Sequence, residues 1–380
     1  MFDPFIKFVR EIYKTKEFIP LHAPVFKGNE KKYLLQCIDS SYVSSVGEFV
    51  NRFETEVAKK HKVKYAIATT NGTSALHTCL LLSEVKTNDE VLTQPLTFVA
   101  TCNAISYCQA YPNFIDVSLT TLGMCPKSLL QFLEQNTYEK NGSCYNRETH
   151  RRIKACVPMH TFGHPCEIDK IKEICSHYNL TLIEDAAESI GSTYKGRPLG
   201  SFGDLSALSF NGNKIITAGG GGAVITNNEE FAKKGRHITT TAKRPHKWKY
   251  DHDAIGYNYR MPNINAALLC AQLEQLDHFI EEKRKTAQLY KIFFKSCNYG
   301  KFISEPPNSF SNYWLNAIQM KTEKDRDHFL AMTNEQGIMT RPVWTLMNRL
   351  EMFKKGYYAS LKNAELLEQL IINIPSSVRF

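Results

Sequence analysis

Apolar residues between positions 60 and 230 alternate between short runs rich in β-branched residues and longer stretches with helical spacing. Strands that alternate with helices are typical of βαβ units. We therefore predict an α/β fold with a mainly parallel, seven-stranded sheet and helices on both faces. The predicted strands cover residues 64–70, 90–94, 111–117, 153–159, 181–186, 205–210 and 221–226.

The pattern changes in the last third of the chain. Residues 240–262 break the alternation, and a long amphipathic helix follows over 264–294. Two predicted strands, 312–320 and 338–344, then flank a helix at 323–337. We predict a large domain over 1–260, which includes an N-terminal extension, and a smaller α+β domain over 261–380.

The polar stretch 136–152 interrupts the large domain. It is expected to be a surface loop or an insertion at the edge of the sheet.

Composition narrows the class of protein. The net charge of +9 suits an anionic small molecule, but the basic residues are too scattered to indicate nucleic acid. No apolar run approaches the length of about 20 residues that spans a membrane, and no signal peptide is recognisable. The eleven cysteines show neither CxxC pairs nor zinc spacing. We expect a cytoplasmic protein with reduced, mostly buried cysteines and no metal site.

Polar residues directly follow the first predicted strand, in the sequence NGTSALH (71–77). Gly72, Thr73 and Ser74 would open a helix at the carboxyl end of a parallel strand. The free N–H groups and the dipole of such a helix form an anion site. An ordinary N-cap followed by a buried helix explains the same residues equally well.

Asp185 stands at the end of the apolar strand in TLIEDAAESIGS (181–192). At this edge of an α/β sheet, side chains commonly contact ligands. The carboxylate could hold a proton on a heteroaromatic nitrogen, bind a metal or cap the next helix. Glu184 and Glu188 flank it, but no ligand set with metal spacing accompanies them.

Lys214 lies between the strand LSALSF and the glycine run Gly219–Gly222. It could be a solvated turn residue, a cation that binds phosphate or a covalent catalyst. A nucleotide P-loop requires the glycines before the lysine, so the order here excludes that motif.

Taken together, these residues meet three of the four demands of pyridoxal phosphate. The cofactor needs an amine, a carboxylate at its pyridine nitrogen, an anion hole for its phosphate and a flat group over its ring. Lys214, Asp185 and the helix start at Gly72–Ser74 supply the first three. Phe98, in PLTFVATCNA, is a candidate for the flat group, although it could equally be a core residue.

Five segments together resemble the DegT/DnrJ/StrS family of sugar aminotransferases: NGTSALH, PLTFVAT, IEDAAESIGS, SFNGNKIITAGGGGAVIT and GYNYRMPNINAALLCAQL. The resemblance implies the aspartate-aminotransferase fold (fold type I), pyridoxal 5′-phosphate as cofactor and a homodimer with shared active sites. It also implies that Lys214 bonds covalently to the cofactor and moves the proton. The residues that it implies for cofactor binding are Gly72, Thr73, Ser74, Phe98, Asp185, Glu188, Ser209, Lys214 and Asn258.

Two of these positions have particular implications. Asn258 resembles a residue that reaches the phosphate of the partner subunit's cofactor. Glu188 occupies a position often held by Gln or His on the O3′ side of the cofactor, so its role is left open.

The glycine run and the segments FNGNKIIT and YVSSVGEFV resemble one branch of the family, because many members have GEGG in place of Gly219–Gly222. That branch acts on UDP-linked 4-keto-6-deoxy-N-acetylhexosamines in legionaminic acid and bacillosamine pathways. The resemblance implies transfer of an amine from L-glutamate to C4 of the sugar. It also suggests that the four glycines pack closely beside the cofactor.

The same residues leave two other functions open. They are C3 or C4 amino transfer to a dTDP- or GDP-linked keto-sugar, and a non-catalytic regulatory homologue that binds the cofactor. The related C3 dehydratases have histidine in place of the lysine, so Lys214 argues against them. An NAD-binding fold would need G-x-G-x-x-G after its first strand, which is missing.

Contacts with the substrate are expected from the basic stretch 236–250, which could instead be a solvated loop, and from positions near the predicted strand ends. His160 could face the sugar or be a buried structural histidine. The predicted substrate-binding residues are His160, Lys243, Arg244, Tyr259 and Arg341.

Overall fold

The seven predicted strands form the centre of one sheet in the computed structural model, which describes residues 2–379. In chain order the strands are β1 Tyr65–Thr69, β2 Glu90–Thr93, β3 Tyr111–Phe114, β4 Thr137–Lys140, β5 Ser143–Asn146, β6 Arg152–Val157, β7 Thr181–Asp185, β8 Thr193–Tyr194, β9 Arg197–Pro198, β10 Leu205–Ser209, β11 Gly222–Thr226, β12 Gly300–Phe302, β13 Ser309–Phe310, β14 Asn316–Met320, β15 Arg341–Pro342, β16 Tyr357–Tyr358 and β17 Ile371–Ile374.

Helices connect most of these strands. They are α1 Asp3–Tyr13, α2 Glu30–Asp39, α3 Glu48–His61, α4 Gly72–Leu82, α5 Val99–Tyr107, α6 Pro126–Asn136, α7 Ile168–His177, α8 Glu229–Thr239, α9 Asn263–Lys295, α10 Glu323–Glu335 and α11 Lys362–Leu370. Three short 3₁₀ turns cover Thr161–Gly163, Met347–Arg349 and Glu351–Phe353.

The main sheet has the strand order β1-β11-β10-β7-β6-β2-β3-β16. β11 runs antiparallel to both of its neighbours, and the other adjacent pairs along this order are parallel. β7, β10 and β11 are almost entirely buried, as expected of strands that are covered by helices on both faces. The predicted mainly parallel, seven-stranded core is therefore present.

Two additions extend this sheet. The polar stretch 136–152 forms the hairpin β4–β5, which pairs with the start of β6. It is therefore an insertion bound to the sheet and not a loop, but it joins an interior strand and not an edge strand. β16 comes from the C-terminal region, before α11 and β17, and pairs with β3.

A second sheet, with the order β12-β14-β17-β15, lies in the C-terminal region. Residues of this sheet and of α1 share one hydrophobic cluster, in which Phe2 and Phe5 contact Phe329 of α10. The N-terminal helix thus packs with the C-terminal elements, while β16 joins the main sheet. The domain division at residue 260 stays a prediction.

Both predicted strands of the C-terminal region begin later than expected: β15 covers only Arg341–Pro342 of the predicted 338–344, and β14 starts four residues into the predicted 312–320. Residues 312–315 form a turn in which the Asn312 side chain accepts a hydrogen bond from the Trp314 N–H at 2.8 Å, and Tyr313 has a φ of 47°. Asn side chains favour such turns because they imitate a backbone acceptor. The turn takes Trp314 out of β14, whose first residue is Asn316.

The glycine run 219–222 ends on the first residue of β11, and Gly222 and Gly220 differ in the space around them. A Cβ on Gly222 would lie 2.3 Å from the carbonyl oxygen of Asn71, so only glycine allows β11 to approach the start of α4. A Cβ on Gly220 would meet only the Thr70 carbonyl, at 3.5 Å, which is ordinary contact. The expected close packing therefore holds for Gly222, whereas position 220 has room for a side chain.

This difference gives a test of the fold. Gly222→Ala forces the backbone of β11 away from α4 and is expected to lower the free energy of unfolding by about 2 kcal/mol or more. The matched control Gly220→Ala should change it by less than about 0.5 kcal/mol. Urea unfolding followed by circular dichroism measures both, and equal effects of the two substitutions would contradict the packing described.

Candidate active site

A cavity of about 370 Å³ opens beside the carboxyl ends of β7 and β10 and the first turn of α4. Ligands commonly bind at this edge of an α/β sheet. Seven of the predicted residues line it: Gly72, Thr73, Phe98, Asp185, Glu188, Ser209 and Lys214.

The first turn of α4 forms one end of the cavity. Asn71 caps the helix, because its Oδ1 accepts the N–H of Ser74 at 2.8 Å and the Ser74 hydroxyl at 3.0 Å. A Cβ on Gly72 would lie 2.7 Å from the Cβ of Ser209, so the glycine brings the two segments together. Asn71 thus caps the helix, and the first turn of the capped helix also lines the cavity, so the two interpretations are compatible and the anion site stays a prediction.

Asp185 is 2% exposed at the end of β7. Its Oδ2 accepts a hydrogen bond from Thr101 Oγ1 at 2.7 Å, and its Oδ1 accepts the N–H of Ala187 at 3.2 Å. Burial raises the pKa of this carboxyl, and the hydrogen bond from Thr101 opposes that rise. A carboxylate buried in this way favours a positively charged partner in the cavity.

Lys214 points into the same cavity from the turn after β10. The side chain is 12% exposed, so the geometry excludes a solvated turn residue. Its Nζ lies 3.3 Å from Glu188 Oε1 and 3.8 Å from the centroid of the Trp314 ring. The free amine of Lys214 is thus held between an acidic and an aromatic side chain.

Glu188 is 3% exposed and completes this arrangement. Its Oε2 accepts the N–H of Phe162 at 2.9 Å, and Phe162 has a φ of 59°, in the sparsely populated left-handed region. Burial raises the pKa of Glu188 to about 7, although the nearby Lys214 and the Phe162 N–H oppose the rise. Glu188 therefore titrates near neutral pH beside the lysine.

Phe98 is 50% exposed and lines the cavity, which excludes the core alternative. Its ring contacts Trp344 edge to face, with 6.3 Å between the centroids. An aromatic ring so placed can cover a flat ligand.

His160 does not line the cavity. It is fully buried, its Nδ1 accepts the N–H of Cys166 at 3.2 Å, and its Nε2 lies 2.9 Å from Glu184 Oε2. Both ring nitrogens are thus engaged within the protein. The geometry supports the structural alternative and not the predicted contact with the sugar.

Six further predicted residues also lie outside the cavity lining of their own chain. Ser74 is buried, and its hydroxyl is held by Asn71 Oδ1 and Thr70 Oγ1, each at 3.0 Å. Arg244 pairs with Asp251 and Asp253 at the surface, and the Tyr259 hydroxyl lies 3.1 Å from His77 Nδ1. The other three residues make surface contacts: Lys243 with the Tyr250 ring, Asn258 with Arg260, and Arg341 with Asn334. The roles assigned to these residues stay predictions.

Sequence reasoning missed three residues that shape the cavity. Thr101 lies in the first turn of α5, three residues after Phe98, and its closeness to Phe98 in the sequence is the signal that could have found it. Trp314 and Trp344 stand in segments interpreted only as strands. No local motif marks either tryptophan as a cavity residue.

Two further observations concern the part of the chain that the structure describes. Between residues 2 and 379, no three or more His, Cys, Asp or Glu side chains are grouped to hold a metal ion. Over the same range, no helix is both long and apolar enough to cross a membrane.

The cavity residues fit pyridoxal phosphate. Lys214 supplies the amine, and buried Asp185 supplies a carboxylate for a protonated ring nitrogen. The first turn of α4, with Gly72 against Ser209, can receive the phosphate. Fold and cavity together define a pyridoxal-phosphate-dependent transferase.

Comparison with known proteins identifies the family. The model of the DegT/DnrJ/EryC1/StrS aminotransferase family matches residues 24–380. A GDP-perosamine synthase from Escherichia coli O157:H7 is 37% identical over 360 residues, covering 95% of this chain and 93% of that protein. The putative pyridoxal phosphate-dependent aminotransferase EpsN from Bacillus subtilis (strain 168) is 36% identical, covering 90% and 85%. The chain therefore belongs to the DegT/DnrJ/EryC1/StrS aminotransferase family.

Solved structures agree with this assignment. A DegT DnrJ EryC1 StrS aminotransferase from Brucella abortus superimposes with a TM-score of 0.84 at 26% identity, covering 92% of this chain and 90% of that chain. The predicted fold, the predicted cofactor and the prediction of a nucleotide-sugar aminotransferase are confirmed.

The pKa of Glu188 generates a prediction about stability. The folded pKa of about 7 lies above the ordinary value of 4.5, so between these pH values the folded state binds more protons than the unfolded state. Ionisation of Glu188 therefore lowers the stability of the cofactor-free protein as pH rises through this window, by at most about 3 kcal/mol.

Glu188→Gln removes that dependence. The stability of the variant relative to wild type should rise between pH 4.5 and about 7 and then level off. Urea unfolding at a series of pH values measures it, with the exposed Glu335→Gln as control. A difference that does not change with pH would show that Glu188 does not titrate in this range.

Proposed function

We propose that this enzyme transfers an amino group from L-glutamate to C4 of a nucleotide-linked 4-keto-6-deoxyhexose. The observation that carries the proposal is the position of Lys214 in one cavity with buried Asp185 and the capped start of α4. Lysine at this position favours amino transfer over the related dehydration, which uses histidine.

The side chains of the cavity have separate tasks in this reaction. Pyridoxal phosphate, when bound, supplies an electron sink that stabilises negative charge at the reacting carbon. Asp185 would hold a proton on the ring nitrogen, and the hydrogen bond from Thr101 favours the ionised carboxylate that this role needs. Lys214, whose Nζ lies 3.3 Å from Glu188, would carry the proton to and from the reacting carbon of the donor or sugar. Phe98, in the cavity lining, would cover the ring.

The sugar acceptor has two candidates, each with its own support. The glycine run and FNGNKIIT resemble enzymes that act on UDP-linked 4-keto-6-deoxy-N-acetylhexosamines. The second candidate is a GDP-linked 4-keto-6-deoxyhexose. It is supported by the similarity of this chain to GDP-perosamine synthases of Escherichia coli O157:H7 (37% identical) and Vibrio cholerae (35% identical). Both acceptors would receive the amine at C4 and supply an amino sugar for a surface glycan.

A homodimer with shared active sites is part of the proposal. The segment YVSSVGEFV and the loop around residue 250 expose large apolar side chains that a second copy would cover. These are Tyr42, Val43, Val46, Trp248, Tyr250 and Ile255. Asn258, Lys243 and Arg244 belong to the same loop region and would then serve the cavity of the partner.

We also infer a cytoplasmic location. All eleven cysteines are free and nine of them are buried, which fits a reducing compartment.

The function is tested with ¹⁵N-glutamate and a panel of UDP-, GDP- and dTDP-linked 4-keto-6-deoxy sugars. The expected products are an amino sugar that carries ¹⁵N and 2-oxoglutarate. Both products are detected by mass spectrometry. The preferred nucleotide decides between the two acceptors. Absence of ¹⁵N from every sugar in the panel would overturn the proposed function.

A further inference from the structure

Trp314 makes two contacts around the active-site lysine. The face of its ring lies 3.8 Å from Lys214 Nζ, measured to the ring centroid. Its indole Nε1–H donates to the carbonyl oxygen of Asn213 at 2.8 Å. The same tryptophan therefore contacts the amine of Lys214 and the backbone of the residue before it.

The backbone of Trp314 is anchored at its carbonyl by a buried lysine, whose pKa is lowered well below the ordinary value by burial. Lys283, on α9, is fully buried, and its Nζ donates to the carbonyl of Trp314 at 3.1 Å and also to the carbonyl of Ser376. The described hydrogen bonds of its Nζ therefore go to backbone oxygens alone. The Asn312 side chain accepts the N–H of Trp314, so both the N–H and the carbonyl of Trp314 are held by hydrogen bonds.

The ring of Trp314 and the carboxyl of Glu188 together receive the Lys214 amine. An aromatic face attracts an ammonium group electrostatically, by about 0.5–2 kcal/mol depending on exposure. Titratable groups around Lys214 are Glu188, Asp185 and His22, and the buried ring nitrogens of His22 have no hydrogen-bond partner in the described chain.

We propose that Trp314 is a positioning residue that, with Glu188, forms the resting site of the Lys214 ammonium while the lysine is not bonded to the cofactor. This inference rests on the proposed function, in which Lys214 must leave the cofactor and return to it. The ring face stabilises the charged amine, and the bond to Asn213 fixes the turn from which the lysine extends.

The test measures how the chemical labelling of the Lys214 amine depends on pH in the cofactor-free full-length protein. An acylating reagent labels the neutral amine, and peptide mass spectrometry follows labelling of Lys214 against pH. The midpoint of this curve reports how well the ammonium is stabilised, whereas the plateau at high pH reports access to the reagent. The proteins compared are wild type, Trp314→Leu, Trp314→Phe and the control Tyr138→Leu, whose ring stacks on Tyr145 in the β4–β5 hairpin.

Trp314→Leu removes the ring face and should lower the labelling midpoint by about 1 pH unit. Trp314→Phe keeps a ring face and should retain most of the wild-type midpoint, while Tyr138→Leu should leave it unchanged. A merely structural role for Trp314 would lower thermal stability without moving the midpoint, and an unchanged midpoint in Trp314→Leu overturns the proposal.

A second measurement uses the cofactor-loaded enzyme. Glutamate should bleach its visible absorbance about tenfold more slowly in Trp314→Leu and less than about threefold more slowly in Trp314→Phe, because a mispositioned amine reacts less often. Equal rates in all variants contradict a positioning role. If glutamate bleaches no protein, wild type included, the proposed function fails, and the labelling midpoints still decide whether Trp314 stabilises the ammonium.

Discussion

The burial of three ionisable groups in one small cavity constrains the structure around it. Asp185, Glu188 and Lys214 are all withdrawn from water, and each needs compensating contacts because isolated buried charges are strongly disfavoured. Thr101 supplies a donor for Asp185, and the strained backbone at Phe162 supplies one for Glu188. Several elements are therefore held in place by the demands of these side chains.

Close backbone packing at two glycines brings the elements that carry these side chains together. Gly222 lets β11 approach Asn71, and Gly72 lets α4 approach Ser209. Both contacts bring the capped helix start to the ends of the strands that carry the charged residues. The anion site, the carboxylate and the lysine thus meet although they are far apart in the chain.

Much of this arrangement could be predicted from sequence because it follows from the order of strands. Asp185 directly follows a buried strand and Gly72 opens a helix after another, so a parallel sheet brings them to one edge. Contacts between side chains distant in sequence carry no such signal. Trp314 is predicted to be a strand residue, but in the structure the Asn312 turn places its ring against Lys214. His160 follows a strand end as predicted, but its side chain contacts Glu184 and not the cavity.

The most direct test of the account is chemical mapping of the lysine that bonds to pyridoxal phosphate. The loaded protein is reduced with borohydride, digested, and its peptides are analysed by mass spectrometry, with the exposed Lys285→Ala as a control for Lys214→Ala. The account predicts a pyridoxyl group on Lys214 in wild type and in Lys285→Ala, and none in Lys214→Ala. A pyridoxyl group on a different lysine, or on none, would contradict it.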